Sequence, residues 1–138
     1  MMSSDARLAL FGKKGDALAC HANLIEAVCE RPTVFVLPGI PGGFEGICLF
    51  RDEPVPVLAR QQFFDGLTLQ GDDLAICRSE MGLVAVPVAA GGRIVEIAEG
   101  RIETSRENIS ECMADCFIYQ NLRYPLLDLD KLLPQLQP

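Results

Sequence analysis

The chain is short of the side chains and segments that most activities require, and each shortage excludes something. It has one histidine, His21, in 138 residues, so any Cys–His or Ser–His nucleophilic mechanism would have to run through it. Cys20, its sequence neighbour, is a poor partner: in a strand, adjacent side chains point to opposite faces. No run approaches the ~20 apolar residues that a membrane-spanning helix needs. Residues Met1 to Arg7 precede only the short apolar stretch Leu8 to Phe11, which is not the core of a secretory signal, so the expected compartment is the cytosol. Lys13-Lys14 is the only basic pair, and 12 Lys and Arg against 19 Asp and Glu leave a net charge of -7. That balance argues against a nucleic-acid backbone as partner. The glycines of Gly39 to Gly43 and of Gly91-Gly92 lack the Gly-Lys-Ser/Thr or strand-Gly-x-Gly-x-x-Gly-helix context of a phosphate loop.

What is present describes a globular protein. Hydrophobic residues make up 49% of the chain and charged residues 22%, outside the range of disorder. A chain of this size buries roughly two-thirds of its unfolded surface, enough for a core. Six cysteines, Cys20, Cys29, Cys48, Cys77, Cys112 and Cys116, are many for a cytosolic chain. Four sit in or beside apolar segments, where free cysteine acts as a small buried hydrophobe. A disulfide framework would need an oxidising compartment. Cys112-x3-Cys116 is half of a zinc pattern, but the other cysteines are scattered through expected strands, so no metal site is expected.

The punctuation of the chain is that of a β protein. Arg7 to Phe11 and Ala17 to Cys20 flank a Gly-rich turn and form a hairpin. Asn23 caps an expected short helix through Leu24 to Val28, with Glu26 in the reciprocal capping position and Pro32 as its limit. Thr33 to Leu37 is a β-branched strand candidate. Residues Ala59 to Phe64 suit one turn of helix. Strands are expected over Asp73 to Arg78, Gly82 to Val88 and Arg93 to Ala98, with Pro87 marking a sheet edge or bulge. Ser105 to Cys116 reads either as a helix with Ile109, Cys112 and Cys116 on one face or as a loop. Cys116 to Gln120 and Arg123 to Leu127 form a last hairpin around Asn121. Asp128 caps a terminal helix with Leu129, Leu132, Leu133 and Leu136 on its apolar face, stopped near Leu133 by Pro134. About ten short strands and little helix indicate a sandwich or barrel. The carboxylates at Asp72-Asp73 and Asp128-x-Asp130 lack the oxygen spacing of a cation loop, and no catalytic set assembles.

The densest pattern is Leu37 to Leu58, LPGIPGGFEGICLFRDEPVPVL. A Pro/Gly approach leads into the apolar run Ile47 to Phe50, a charged corner at Arg51-Asp52-Glu53, and the apolar run Val55 to Leu58: two buried strands and a tight turn. This segment resembles the signature of the CheW-like family of bacterial chemotaxis adaptors, with Pro38, Pro41, Gly46, Arg51, Glu53, Pro56 and Val57 on motif positions. Leu24 and Glu26 match the family's hydrophobic-x-Glu turn. Gly82-Leu83-Val84 matches its second-half strand, and Val95-Glu96-Ile97 matches a further hydrophobic stretch loosely. Leu126 to Leu133 resembles the closing Leu-Leu-Asp-hydrophobic-Asp-Lys-Leu-Leu motif.

The resemblance implies a mostly all-β fold of two five-stranded SH3-like β-barrels packed together, with a hydrophobic groove between them and short helices including one near the C-terminus. It implies a single domain over residues 1–138 with two interleaved subdomains and a seam near 65–73. The implied role is that of a non-enzymatic adaptor, with no cofactor, that couples chemoreceptor cytoplasmic tips to a CheA-type histidine kinase through the kinase regulatory domain, in the cytoplasm at membrane-associated receptor arrays. Arg51, Glu53, Glu26 and Leu24 are the partner-binding positions it implies. Leu49 replaces the motif Asn, Asp52 the motif Gly, Ala59 and Val86 two motif Asp residues. These changes favour, as an alternative, a divergent module serving another signalling or motility partner; the cysteines leave, as an alternative of a different class, a cysteine-based redox or metal-binding protein.

Overall fold

The structure, a computed structural model, describes residues 6–13, 15–40, 42–60, 68–104 and 115–136. Among the described residues there are eleven strands and one short helix. They are β1 (Arg7–Phe11), β2 (Leu18–His21), β3 (Ile25–Cys29), β4 (Phe44–Phe50), β5 (Glu53–Leu58), β6 (Asp73–Ser79), β7 (Gly82–Val88), β8 (Arg93–Glu96), β9 (Arg101–Glu103), β10 (Cys116–Tyr119), β11 (Leu122–Pro125) and α1 (Leu129–Leu132). The mostly-β architecture is the expected one. The strands form a five-stranded sheet ordered β3-β6-β7-β5-β4 and two three-stranded sheets, β2-β1-β8 and β11-β10-β9. The three-stranded sheets are joined by a parallel bridge between Ala19 and Leu126, with the Leu127 amide donating to the Ala19 carbonyl at 2.8 Å.

The chain leaves the first sheet after β2, builds the whole five-stranded sheet, and returns at β8. It changes sheet at the 3-10 turn Ala22–Leu24 and again between Val88 and Arg93. Strands β5 and β6, on either side of residues 65–73, belong to the same sheet.

Period-2 alternation distributes the side chains among three core clusters. Leu8 and Leu10 of β1 enter a cluster with Val95, Phe117, Tyr124 and Leu126. Ala9 and Phe11 of the same strand enter the largest cluster, with Leu58, Leu69, Ala75, Val84, Val86, Val88 and the α1 leucines. The opposite face of the five-stranded sheet holds the third, made by Cys48, Val55, Val57, Leu74, Ile76 and Ala85. A strand buried on both faces reads as a continuous apolar run, which is why Leu8 to Phe11 lacks clean alternation.

Two hairpins close on two-residue turns with both central residues in the left-handed region, Arg51-Asp52 (φ 52 and 65) and Gln120-Asn121 (φ 49 and 65). This is the turn type that matches the twist of paired strands. The Asn121 turn uses a residue that tolerates the conformation, whereas Arg51 does not favour it. The turn forms there because β4 and β5 are registered from Phe44↔Leu58 to Phe50↔Glu53. Gly46 has a separate reason: a Cβ there would lie 2.3 Å from the Phe35 carbonyl oxygen, where Phe35 and Ile47 exchange backbone hydrogen bonds of 2.8 and 2.9 Å.

Several sequence expectations are corrected. The helix from Asn23 to Val28 is instead a 3-10 turn followed by strand β3; pairing with β6 satisfies the backbone and overrides the capping pattern. Glu26 therefore caps nothing. Thr33 to Leu37 contributes only the single bridge at Phe35. Pro87 is neither at an edge nor at a bulge: β7 lies between β6 and β5, in unbroken register with β6. The proline is tolerated because β5 registers with β7 only at Val57↔Ala85, two residues earlier. Strand β8 stops at Glu96, where a 3-10 turn over Ile97–Glu99 is held by a reciprocal Glu96/Glu99 capping box. The terminal helix is as expected. Asp128 accepts from the Lys131 amide at 3.2 Å, and the α-helix gives way at Leu133 to a 3-10 turn containing Pro134. The expected helical turn at 59–64 and the ambiguous segment at 105–116 lie largely outside the described residues.

Leu127, which joins β11 to α1, is 5% exposed and packs in the largest cluster. Leu127→Ala is expected to lower the unfolding free energy by about 2–5 kcal/mol, read from the shift in a urea denaturation midpoint at unchanged slope.

Candidate partner-binding surface

A groove opens where the two sheet systems meet. Ala9 and Phe11 of β1 form its floor, Ala22, Ile25 and Val28 one wall, and Gly92, Arg93 and Ile94 the other, around a volume of about 300 Å³. Its rim is apolar and open to solvent: Val28 is 47% and Ile94 55% exposed. Gly92 is required by packing, because a Cβ there would lie 2.4 Å from Cε1 of the Phe11 ring. Arg93 places its guanidinium 5.1 Å from the centre of the Tyr119 ring, a cation–π contact that anchors the long side chain beside the groove.

Glu26 stands next to this groove for a reason that the capping pattern did not suggest. The β3–β6 register shifts between Ile25↔Cys77 and Ala27↔Ile76, leaving Glu26 as the extra residue of a β-bulge. Bulges re-aim a side chain, and here the carboxylate meets the Arg78 guanidinium at 2.7 Å. Arg78 also donates to the Asn23 carbonyl, tying the 3-10 turn to the end of β6. Leu24 is half-buried in that same turn. With Arg78 half-exposed, the pair adds at most about 1 kcal/mol to stability; its main effect is to fix where the Glu26 carboxylate points.

Arg51 and Glu53 lie together elsewhere, at the tip of the β4–β5 hairpin. Both are exposed, and the Arg51 guanidinium stacks 4.6 Å above the Phe50 ring. No ion pair joins Arg51 to Asp52 among the described residues, so the guanidinium's hydrogen-bonding edge remains open to a partner. Leu49, where the motif has Asn, is 55% exposed on the same hairpin. Glu53 also borders a second apolar cleft of about 490 Å³, with Pro54, Pro56, Met81, Leu83 and Leu133 among its walls.

The expected partner-binding residues thus fall into two groups, Leu24 in the 3-10 turn with Glu26 on the β3 that follows it, and Arg51 with Glu53 on the β4–β5 hairpin. Strands β3 and β4 stand at opposite ends of the sheet order, so strand pairing does not join the groups. Sequence reasoning missed Arg78 and the groove lining. The Gly91-Gly92 pair is the one local signal that pointed there. His21 ends β2, half-buried. Among the described residues no three metal-ligating side chains come together, and Cys20, Cys29, Cys48, Cys77 and Cys116 are free thiols.

No family model matches the chain, and no curated protein matches it. Among solved structures, the crystal structure of the scaffolding protein TtCheW from Thermoanaerobacter tengcongensis superposes with a TM-score of 0.68 over 91% of this chain and 90% of that one, at 12% identity. The chain has a CheW-like fold. At that identity the shared property is the arrangement of strands.

Gly92→Ala is expected to push Phe11 off its position and cost about 1–3 kcal/mol, as overpacking does. Gly42→Ala, where an added Cβ meets nothing within 4 Å, should leave the denaturation midpoint within experimental scatter. Chemical denaturation of the two variants side by side checks both.

Proposed function

We propose that this chain is a non-enzymatic adaptor that couples chemoreceptor cytoplasmic tips to a CheA-type histidine kinase in a chemotaxis-like pathway, binding the kinase regulatory domain in the cytoplasm. The observation that carries the reading is the CheW-like fold, shared over nine-tenths of both chains with a scaffolding protein. Residues 1–138 act as one domain of two interleaved units. The Arg51 hairpin and the groove beside Glu26 and Leu24 are its two contact surfaces.

Two features of the surfaces support protein recognition. Arg51 holds a left-handed backbone conformation, φ 52, at an exposed turn where glycine would be less strained. Strain retained at an exposed position is a pointer to function, and a planar guanidinium propped on an aromatic ring is well formed for anchoring an interface. The groove is mostly apolar with an exposed rim, and among the described residues that line it Arg93 is the one charged side chain. Exposed Leu49 and the acidic Asp52 at the hairpin favour, as a second reading, a divergent module of another signalling or motility system whose partner presents an apolar and basic complement.

Arg51→Glu should leave the fold intact, because the side chain is exposed, and reduce affinity for the kinase regulatory domain by at least tenfold, corresponding to about 1.4 kcal/mol. Titration calorimetry against the regulatory domain and, separately, against a receptor tip checks this. Equal binding by both proteins would remove Arg51 from the interface. Binding to neither partner by folded wild-type protein would favour the second reading.

A further inference from the structure

The stretch Pro32-Thr33-Val34-Phe35-Val36-Leu37-Pro38 reads almost the same in both directions about Phe35, with a valine on either side of it and a proline at each end. It carries no charge, and Thr33 to Val36 are all strand formers. The structure uses it as an outer edge beside β4. Phe35 and Ile47 exchange backbone hydrogen bonds of 2.8 and 2.9 Å, and this bridge is the segment's one strand pairing among the described residues. The segment is held at its start by the Arg31 amide, which donates to the buried Asp73 carboxylate at 3.2 Å.

Extended backbone alternates the direction of its polar groups. Phe35 turns its N–H and C=O to β4, so those of Val34 and Val36 point to the opposite edge. Among the described residues no backbone group meets them there. The side chains along this edge are apolar and uncovered: Phe35 is 47%, Val36 78% and Leu37 42% exposed. Proteins blunt such edges with charged side chains or bulges, and between Pro32 and Pro38 there is neither.

We infer that this edge pairs antiparallel with the same edge of a second copy of the chain, across a twofold axis at Phe35. The near-palindrome selects a second copy over any other occupant, because every position then meets its own counterpart. Phe35 faces Phe35 of the second copy as a non-hydrogen-bonded pair, the position in which side chains approach most closely. Val34 faces Val36 of the second copy, and Val36 faces its Val34, each pair exchanging both backbone hydrogen bonds. The next hydrogen-bonding positions set Pro32 against Pro38 of the second copy. Neither has an N–H, so the ladder ends there. The contact is isologous: it occupies the open edge of both copies and closes as a dimer, leaving nothing to extend into a fibre. The inference goes beyond the adaptor reading and stands on strand pairing alone.

Sedimentation equilibrium of the full chain without any partner, from about 10 μM to about 1 mM, should show monomer and dimer and no larger species. Over the same range, amide exchange followed by NMR should slow at Val34 and Val36 as the dimer forms. Val36→Lys places a charge on the edge at a side chain that meets solvent in the monomer. It should weaken the dimer at least about tenfold and leave the thermal midpoint of dilute protein unchanged. Val36→Pro, which removes one of the open donors, should also weaken it. A monomer at every concentration, a dimer whose Val34 and Val36 amides exchange as fast as in dilute protein, or undiminished dimerisation of Val36→Lys would overturn the inference. The wild-type exchange data decide the matter even if Val36→Pro fails to fold. Because no partner is present, this outcome is separate from that of the Arg51→Glu titration.

Discussion

The fold depends on one hairpin being buried on both faces. β1 and β2 send Leu8, Leu10 and Ala19 into one cluster and Ala9, Phe11, Leu18 and Cys20 into another. Every other unit packs against one side of this partition. The five-stranded sheet and α1 lie against the Ala9 face, and the β11-β10-β9 sheet lies against the Leu8 face. Because side chains alternate with a period of two, a one-residue slip between β1 and β2 would exchange the contents of both clusters at once. Small residues make the arrangement possible: Ala9 and Ala19 each pack at 2% exposure or less, letting backbone approach on both sides.

That constraint also creates the groove. The hairpin's partners, β3 on one side and β8 on the other, are reached by chain segments that change sheet, at Ala22–Leu24 and after Val88. Ala9 and Phe11 lie buried beneath the junction, while Val28 and Ile94 on its rim stay exposed among the described residues. A junction between two sheets offers such a surface on regular secondary structure.

Local chemistry was legible in the sequence and long-range geometry was not. Hairpins at Asn121 and at Arg51-Asp52, the Asp128 cap and the stop at Pro134 are each decided within a few residues, and the structure has all of them. The segment after Asn23 was misread because Asn-x-x-Glu satisfies a capping rule, whereas a partner strand almost fifty residues on, Leu74 to Cys77, offers β3 a full ladder of hydrogen bonds. Propensity yields to tertiary pairing there. The bulge that aims Glu26 and the Arg78 that receives it have no sequence signal, since the register shift arises from two strands meeting. The same holds for the groove, whose walls come from residues about seventy positions apart. The Leu37 to Leu58 pattern carried the fold because its residues answer to backbone geometry: Gly46 to the close approach of Phe35, and the two-residue corner to the twist of β4 and β5.

Within that pattern some positions answer to backbone geometry and others do not. Gly46 is retained where a side chain would strike the Phe35 backbone. The motif Gly at the hairpin corner, by contrast, is Asp52, which occupies the left-handed region at modest cost because its short side chain tolerates it. Leu49 takes the motif Asn position on the exposed face of β4, where neither residue is needed for packing. Val86, where the motif has Asp, is by contrast fully buried in the largest cluster, so the departures from the motif reach both surface and core. Arg51 is exposed, holds a left-handed backbone conformation and is propped on Phe50, so neither packing nor turn propensity explains its presence.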